Sequence, residues 1–526
     1  LPLGFALGKH CARNSEGESQ ASKPRYRPPP ALFEHRIGWR VIRMAPREWT
    51  NPRTGATLTL AIEDHSDSDV VALCETSYQA WLTYRGFSFP DRVRVLSALA
   101  DGLAASSDEV VAIADEETAL GEPRLVGEVA RTVFQLRMFA EALENDTLFP
   151  RQIDEAVEGP PPAGHPELVR SLIPLGPVAV FGASNFPFAF GVLGGDVASA
   201  LAAGCSVIVK EHSAQPRLSQ RLVELARDVL EKEFPGLDIF LSVRGTQAGA
   251  QVVQNPRVSA VGFTGSVSGG RHLFDLAQAR PNPIPFYGEL GSINPVVVSR
   301  QAAESRGDQI AQGFVDSLLL GGGQFCTKPS VLVIPEDSTI LETIKVSLAS
   351  AQPVALLTTR IASAYRARVD EMTSANATNV VTAPDSSEPG SWVHPALFVT
   401  SVEEMLTETT MLREECFGPA AVVVPYATDD EALAVSSVGG GVLVGSVHGE
   451  DDDPLAQAIV QALIPRAGRI VWNGWPTGVA VSPAQMHGGP YPAATVPGAT
   501  SVGLHAASRF VRPLVLQSMP PGMQVS

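Results

Sequence analysis

Pro174-Leu175-Gly176-Pro177-Val178-Ala179-Val180-Phe181-Gly182-Ala183-Ser184-Asn185-Phe186-Pro187 opens the stretch whose reading decides the fold, residues 174–265. Val178 to Phe181 reads as a buried strand and Phe188 to Ala203 as a helix. Ser206-Val207-Ile208-Val209 is again strand-like, and Leu218, Leu222, Leu225, Ala226, Val229 and Leu230 trace one face of a second helix. Ile239-Phe240-Leu241 and Ala260-Val261-Gly262-Phe263 add two strands around a short helix. Strand and helix alternating at this spacing imply parallel strands joined by right-handed crossovers. A sheet of that kind binds ligands beyond the carboxyl ends of its strands.

The pattern changes on either side. Residues 34–60 read as strand and turn, with Asn51-Pro52-Arg53-Thr54-Gly55 as the turn signal, and helical periodicity runs from Asp67 to Leu143. Gly159-Pro160-Pro161-Pro162-Ala163-Gly164 interrupts it. A second alternating region spans Glu289 to Gly474, through Val331-Leu332-Val333-Ile334, Ala421-Val422-Val423-Val424 and Ile470-Val471-Trp472. The fold class is therefore α/β. The tail Phe510-Val511-Arg512-Pro513-Leu514-Val515-Leu516 reads as a strand exported to a partner subunit.

At 526 residues the chain is too long for one ordinary core and implies two or three domains. Its 44% hydrophobic and 18% charged residues are those of a folded soluble protein, and Gly, Pro or polar residues interrupt every apolar run before bilayer length. A formal charge of −17 argues against nucleic-acid binding, which needs clustered Lys and Arg. Cys11, Cys74, Cys205, Cys326 and Cys416 are odd in number and widely spaced, with no CxxC and no zinc-like Cys/His cluster, so no metal is expected. Free thiols place the protein in a reducing compartment, the cytoplasm. Lys9, Arg13, Lys23, Arg25 and Arg27 before Pro28-Pro29-Pro30 read as a mobile basic leader; Glu16 and Glu18 weigh against a transit peptide.

Two residues carry the candidate chemistry. Cys326 lies in the glycine-rich turn Gly321-Gly322-Gly323-Gln324-Phe325-Cys326-Thr327, and Glu289 lies upstream in Tyr287-Gly288-Glu289-Leu290-Gly291. A thiol on such a turn and a carboxylate among small and apolar neighbours form a nucleophile and base pair. The apolar setting of Glu289 is expected to raise its pKa toward neutral pH. Gly265 and Ser266 end a strand and begin a helix at Val267, a geometry that favours anions. Motifs for P-loops, HExxH zinc sites, EF-hands and GxSxG elbows are absent.

Gly182-Ala183-Ser184-Asn185-Phe186-Pro187, Val209-Lys210, Gly262-Phe263-Thr264-Gly265-Ser266, Gly288-Glu289-Leu290-Gly291 and Gly323-Gln324-Phe325-Cys326 follow one another, with Glu415-Cys416-Phe417-Gly418-Pro419 downstream. In that order and over roughly residues 51–513 the chain resembles the aldehyde dehydrogenase superfamily. The resemblance implies a Rossmann-like parallel-sheet cofactor domain, an α/β catalytic domain and a small β oligomerisation arm. In this chain that layout gives a leader at 1–33, a cofactor domain at 34–150 and 172–288, a catalytic domain at 289–490, and an arm at 151–171 and 505–526. It also implies a homodimer or homotetramer. Cys326 then resembles the family nucleophile, Glu289 the base that activates water, and Asn185, opening a helix, the amide that holds the oxyanion with the Cys326 N–H. Lys210 resembles the lysine that binds the adenosine ribose, Gly265 and Ser266 the pyrophosphate site, Gly245 and Gly249 the adenine side. Glu415 and Phe417 match positions at the nicotinamide ribose and ring. Ser213 replaces the glutamate by which NAD-preferring members grip the ribose hydroxyls, so NAD or NADP is expected, with NADP preferred.

Within the family the chain is similar to 2-oxoglutarate semialdehyde (2,5-dioxovalerate) dehydrogenases and their NADP-dependent relatives. Ser292-Ile293-Asn294-Pro295, Trp472-Asn473-Gly474-Trp475-Pro476-Thr477-Gly478 and Gly127-Glu128-Val129-Ala130-Arg131-Thr132 carry that likeness. Leu290-Gly291 and Gly321-Gly322-Gly323 depart from it where Met-Ser and Gly-Cys-Gly are expected. A distal substrate carboxylate calls for a bidentate cation. Arg131 is the candidate, with Gln135 one helical turn on. The implied activity is oxidation of an aldehyde to its acid through a cysteine thiohemiacetal and thioester. Other aliphatic or aromatic aldehydes, acyl transfer to coenzyme A and a non-catalytic nucleotide-binding protein are the alternatives.

Overall fold

The computed structural model describes residues 47–375, 377–381, 388–408 and 410–520. The chain divides into residues 1–44 and one unit running from Ala45 to Ser526. The leader expected at 1–33 lies outside the described residues.

Arg47–Thr50 (β1) and Thr57–Leu60 (β2) form a hairpin around Asn51, whose side chain accepts from the Arg53 and Thr54 amides, as the turn signal predicts. Four helices follow: Asp67–Tyr84 (α1), Phe89–Ala105 (α2), Ser107–Thr118 (α3) and Glu122–Glu144 (α4). Ser66 and Asp69 cap the first reciprocally, leaving few orphan amides at its start. Gln152–Asp154 (β3) and Leu168–Pro174 (β4) come next.

Val178–Phe181 (β5), Gly195–Ala203 (α5), Val207–Lys210 (β6), Pro216–Glu233 (α6), Phe240–Val243 (β7), Thr246–Gln254 (α7), Ala260–Thr264 (β8), Val267–Gln278 (α8) and Phe286–Glu289 (β9) form the predicted alternation. Their strands make a five-stranded parallel sheet in the order β7-β6-β5-β8-β9. Leu218, Leu222, Leu225, Ala226 and Leu230 of α6 are buried, as the periodic face predicts. The helix expected over 188–203 begins only at Gly195. Residues 186–194 instead wind as tight turns, in which a Cβ on Gly191 would lie 1.8 Å from the Pro187 carbonyl oxygen. Asn185 therefore stands on a turn and caps no helix.

Asn294–Val298 (β10), Arg300–Leu319 (α9) and Pro329–Pro335 (β11) begin the second region. Its seven-stranded sheet runs in the order Ala377–Val381, Ala396–Thr400, Ala420–Tyr426, β11, β10, Val442–His448 and Ala467–Trp472. The first of these pairs antiparallel and the others parallel. Its central strands β10, β11, Ala420–Tyr426 and Val442–His448 are almost wholly buried on both faces, which explains their continuous apolar character.

The tail strand Val511–Gln517 pairs along its length with β4 of its own chain, in a three-stranded antiparallel sheet with β3. It was expected to be exported to a partner; within its own chain it pairs on one side with β4 and forms an edge of this sheet. Ala506, Ala507 and Phe510, just ahead of the strand, are buried in the core beside α5. No helix of the described residues is long and apolar enough to cross a membrane.

Arg509 anchors this return. Its Nη2 lies 2.6 Å from Asp196 Oδ1, both side chains are buried, and its Nε donates to the Ala506 carbonyl. Removing one partner strands a buried charge, at a cost of about 3–5 kcal/mol. Arg509→Ala is expected to lower the urea unfolding midpoint by a corresponding amount, with a smaller loss for Arg509→Lys.

Candidate functional site

The end of α9 leads into the short 3-10 segment Leu320–Gly323, where Gly321, Gly322 and Gly323 all take positive φ. This turn ends the helix and delivers Cys326 ahead of β11. Its tightness is enforced from outside: a Cβ on Gly323 would lie 2.4 Å from the Gly418 carbonyl carbon. Gln324 is fully buried, with its Oε1 accepting from Leu357 N and its Nε2 donating to Gly321 O. Asn294 secures the far side. Its Nδ2 donates to the carbonyls of Cys326 and Lys328, while its Oδ1 accepts from Ser292 Oγ and Val444 N.

Asn185 reaches this turn from the other sheet. Its Nδ2 donates to Gln324 O at 2.9 Å, and its own carbonyl accepts from Arg124 Nη2. Buried Glu128 holds the following turn, its Oε1 accepting from the Phe188 and Ala189 amides at 2.9 and 3.0 Å. Burial pushes that carboxyl up to about 7.

Glu289 ends β9 and is stapled to a C-terminal return: Leu290 N donates to Ala493 O and Thr495 N to Gly288 O. The return carries two residues that the sequence reading passed over. His487 places Nε2 2.8 Å from Glu289 Oε1, close but without the alignment of a conventional hydrogen bond. Ser501 donates its hydroxyl to Glu289 Oε2. Cys326 Sγ lies 3.6 Å from the same His487 Nε2. The only sequence signal was a lone histidine before Gly488-Gly489-Pro490, which by itself marks nothing more than a turn.

Electrostatics at this centre differ from expectation at one point. Burial alone would raise the Glu289 carboxyl. The electrostatic approach of the His487 imidazole and the Ser501 hydroxyl that donates to Oε2 outweigh it and hold the carboxyl below its ordinary value. The expected rise at Glu289 is thus corrected by partners some 200 residues away, a separation set by residue numbers 289 and 487. The raised carboxyl is Glu415, pushed up to about 7 by burial against the pull of Lys328. Burial, then the charges of Glu289 and Glu415, push the Cys326 thiol well above its ordinary value.

Arg131 lies on α4, with Nη1 donating to Val479 O, while Nε and Nη2 are buried without a hydrogen-bond partner. Gln135 is buried on the same helix, and its Nε2 also has none. Arg469, which the sequence reading passed over, donates from Nη2 to Pro476 O and Gly478 O and leaves Nε unpartnered. Both arginines lie near enough to Cys326 to interact with its charge.

The remaining candidates lie at the carboxyl ends of the parallel sheet. Lys210 ends β6 and Ser213 is exposed just beyond it. Gly249 leaves space beside Lys210: a Cβ there would lie 3.0 Å from Phe181 and 3.2 Å from the Lys210 side chain. Gly245 begins α7 at φ +106°, packed on Asp64. Ser266 caps α8 by accepting from Gly269 N, and Gly265 N donates to Glu289 O, one bond from the carboxylate strand. Glu415 lies against Gly291, where a Cβ would meet its Oε2 at 2.2 Å, and Phe417 is half-buried. A glycine-lined strand edge with a lysine, a neutral hydroxyl and a helix N-terminus fits a dinucleotide.

Glu289, Cys326 and His487 present three potential metal-ligand atoms within 4.8 Å of one another. The 2.8 Å approach of Nε2 to Oε1 is tighter than the roughly 3.3 Å between ligands on a tetrahedral zinc, so this spacing suits proton sharing better.

The chain matches the family model described as Aldehyde dehydrogenase family over residues 43–490. It is 40% identical over 461 residues to alpha-ketoglutaric semialdehyde dehydrogenase 2 of Azospirillum brasilense, covering 86% of this chain and 88% of that one. Alpha-ketoglutaric semialdehyde dehydrogenase of Acinetobacter baylyi is 36% identical over 472 residues, with 88% of each covered. An NADP-dependent glyceraldehyde-3-phosphate dehydrogenase from Bacillus halodurans, solved with NADP, superposes with a TM-score of 0.74 at 20% identity, over 92% of this chain and 96% of that one.

Gly323→Ala tests the geometry of the turn. The added Cβ forces the Cys326 segment away from Gly418, so iodoacetamide labelling of Cys326 is expected to change at least several-fold. An unchanged labelling rate would show that the turn tolerates a side chain.

Proposed function

The chain belongs to the aldehyde dehydrogenase family, and we propose that it oxidises 2-oxoglutarate semialdehyde to 2-oxoglutarate with NADP preferred over NAD. The observation that carries the substrate is the set of buried, unpartnered donors, Arg131 Nε and Nη2, Gln135 Nε2 and Arg469 Nε, on two arginines that interact with Cys326. Buried donors without partners are costly unless a ligand satisfies them. A carboxylate at the far end of a short aldehyde does so, with Arg as its matching fork. The names of the relatives from Azospirillum and Acinetobacter agree with this reading.

In this reading the Cys326 sulfur attacks the aldehyde carbon. The oxyanion rests on the Cys326 amide and on Asn185 Nδ2, which has a second hydrogen beyond the one given to Gln324. The nicotinamide cofactor, when bound, supplies the acceptor for the electron pair leaving the aldehyde carbon. Glu289 then draws a proton from the water that cleaves the thioester. Lys210, Ser213, Gly245, Gly249, Gly265 and Ser266 hold the nucleotide, with Glu415 and Phe417 at the nicotinamide end. Neutral Ser213 neither repels a 2′-phosphate nor anchors both ribose hydroxyls. The proposed domains follow the two large sheets, and the proposed setting is a cytoplasmic homodimer or homotetramer.

An aldehyde panel assayed separately with NAD and NADP tests the proposal. ω-Carboxylated short aldehydes are expected to lead, and a preference for neutral aldehydes would overturn the substrate. Arg131→Met is expected to raise KM for the carboxylated aldehyde about 10–100-fold, the loss of a charged hydrogen bond. Cys326→Ala is expected to abolish NADPH formation. Glu289→Gln should allow one turnover and then stall, so loss of both phases would assign Glu289 a structural role. Asn185→Ala is expected to slow turnover about 10²–10³-fold.

A further inference from the structure

The turns that carry Cys326 and Asn185 come from different sheets, and one side chain lies between them. Arg124 stands in the first turn of α4. Its Nη2 donates to the Asn185 carbonyl, and its guanidinium carbon lies 5.0 Å from the Phe186 ring centroid and 4.7 Å from that of Phe325. We propose that Arg124 is a positioning residue for the oxyanion site: it clamps the Asn185 turn to the Cys326 turn and so fixes the Asn185 amide relative to the attacking sulfur. This deepens the aldehyde-oxidation reading and rests on it for the role of Asn185.

The clamp grips the chain beside both reacting positions. Phe186 follows Asn185 and Phe325 precedes Cys326, and the two rings meet edge to face at 5.1 Å and 88°. A guanidinium is attracted to the negative face of an aromatic ring, so this one draws both turns toward a single point. Gly321 makes room for it. A Cβ there would lie 2.3 Å from Arg124 Nη1 and 2.7 Å from the Phe325 ring. The glycine turn therefore does more than end α9, because its first glycine opens the space that the guanidinium fills.

Glu128 secures the Asn185 turn at its other end. It lies one helical turn along α4, on the same face as Arg124. Its Oε1 accepts from the Phe188 and Ala189 amides. The turn also closes on itself, with Ala183 N donating to Phe190 O and Phe190 N to Phe186 O. Glu128 thus sets where the turn lies on α4, and Arg124 sets how it meets the Cys326 turn.

That meeting matters for rate. When the sulfur attacks, the carbonyl π pair moves onto oxygen, and the Cys326 N–H and Asn185 Nδ2 must both point at that oxygen. These donors belong to separate turns. A misplacement of about 1 Å between such groups is enough to slow a reaction about 10²-fold. Arg124 supplies no reacting atom and acts through Asn185.

The test is acylation of Cys326 by p-nitrophenyl acetate, which requires neither aldehyde nor nucleotide. The sulfur forms the S–C bond, the oxyanion collapses, p-nitrophenolate leaves with its bonding pair, and the thiol proton goes to water. Cys326→Ala provides the blank. Arg124→Met keeps an unbranched apolar stem and is expected to slow the first-turnover burst about 10–100-fold. Arg124→Lys keeps the charge without the planar fork and is expected to fall between Met and wild type. In an Asn185→Ala background, Arg124→Met is expected to cost less than about threefold, because no amide remains to be positioned. Circular dichroism and NADP-quenched fluorescence report folding, and Arg124→Lys carries the same cycle if Arg124→Met does not fold. A folded Arg124→Met with a wild-type burst would overturn the proposal. So would an undiminished loss in the Asn185→Ala background, which makes Arg124 a structural residue independent of the amide. If Asn185→Ala itself keeps the wild-type burst, the oxyanion assignment falls and the positioning role falls with it. If the bursts behave as expected but no aldehyde in the panel yields NADPH, the clamp stands and the aldehyde-oxidation reading falls.

Discussion

The backbone bonds that staple Gly288 and Leu290 to Ala493 and Thr495 are the constraint on which the site depends. They lay the C-terminal return alongside β9 and put His487 and Ser501 against a carboxylate some 200 positions earlier in the chain, as the numbers 289 and 501 show. Gly288 is suited to this, because its N–H is taken by Thr495 Oγ1 and a Cβ there would lie 2.8 Å from the Phe286 ring. The Arg509–Asp196 pair locks the next segment of the same return onto α5. Without that return, Glu289 would be a buried carboxylate with no partner, which is unfavourable in its ionised form.

Around this staple the two sheets contribute different things. The parallel sheet brings Asn185 on a turn held by Glu128, and the larger sheet brings Cys326 on a turn held by Asn294. Asn185 Nδ2 donates across to Gln324 O between the two turns. Polar groups buried at such a junction hold geometry tightly when satisfied. Near this junction Arg131, Gln135 and Arg469 keep buried donors without hydrogen-bond partners.

Much of the fold was legible because alternation of apolar runs with amphipathic helices is a local signal. The strands at Val178, Val207, Phe240 and Ala260 begin within one residue of where the apolar runs predict them. The helix predicted from Phe188 failed at its start, because Pro187, Gly191 and Gly194 favour turns that apolar content alone conceals. The tail strand was recognised, but not its partner. Strand propensity is a property of the segment, whereas pairing with β4 is decided by where the chain returns.

The sequence by itself determined the α/β alternation, the glycine turn that presents Cys326, and the candidacy of Glu289, all through residues adjacent in the chain. Only the tertiary structure decided the ionisation of Glu289, because a carboxyl's pKa depends on the charges and donors around it in space. Reading its neighbours Phe286 to Leu290 suggested an apolar pocket and a raised pKa. Folding supplied an imidazole and a hydroxyl from far along the chain, and their electrostatic stabilisation of the carboxylate exceeds the desolvation that its sequence neighbours impose.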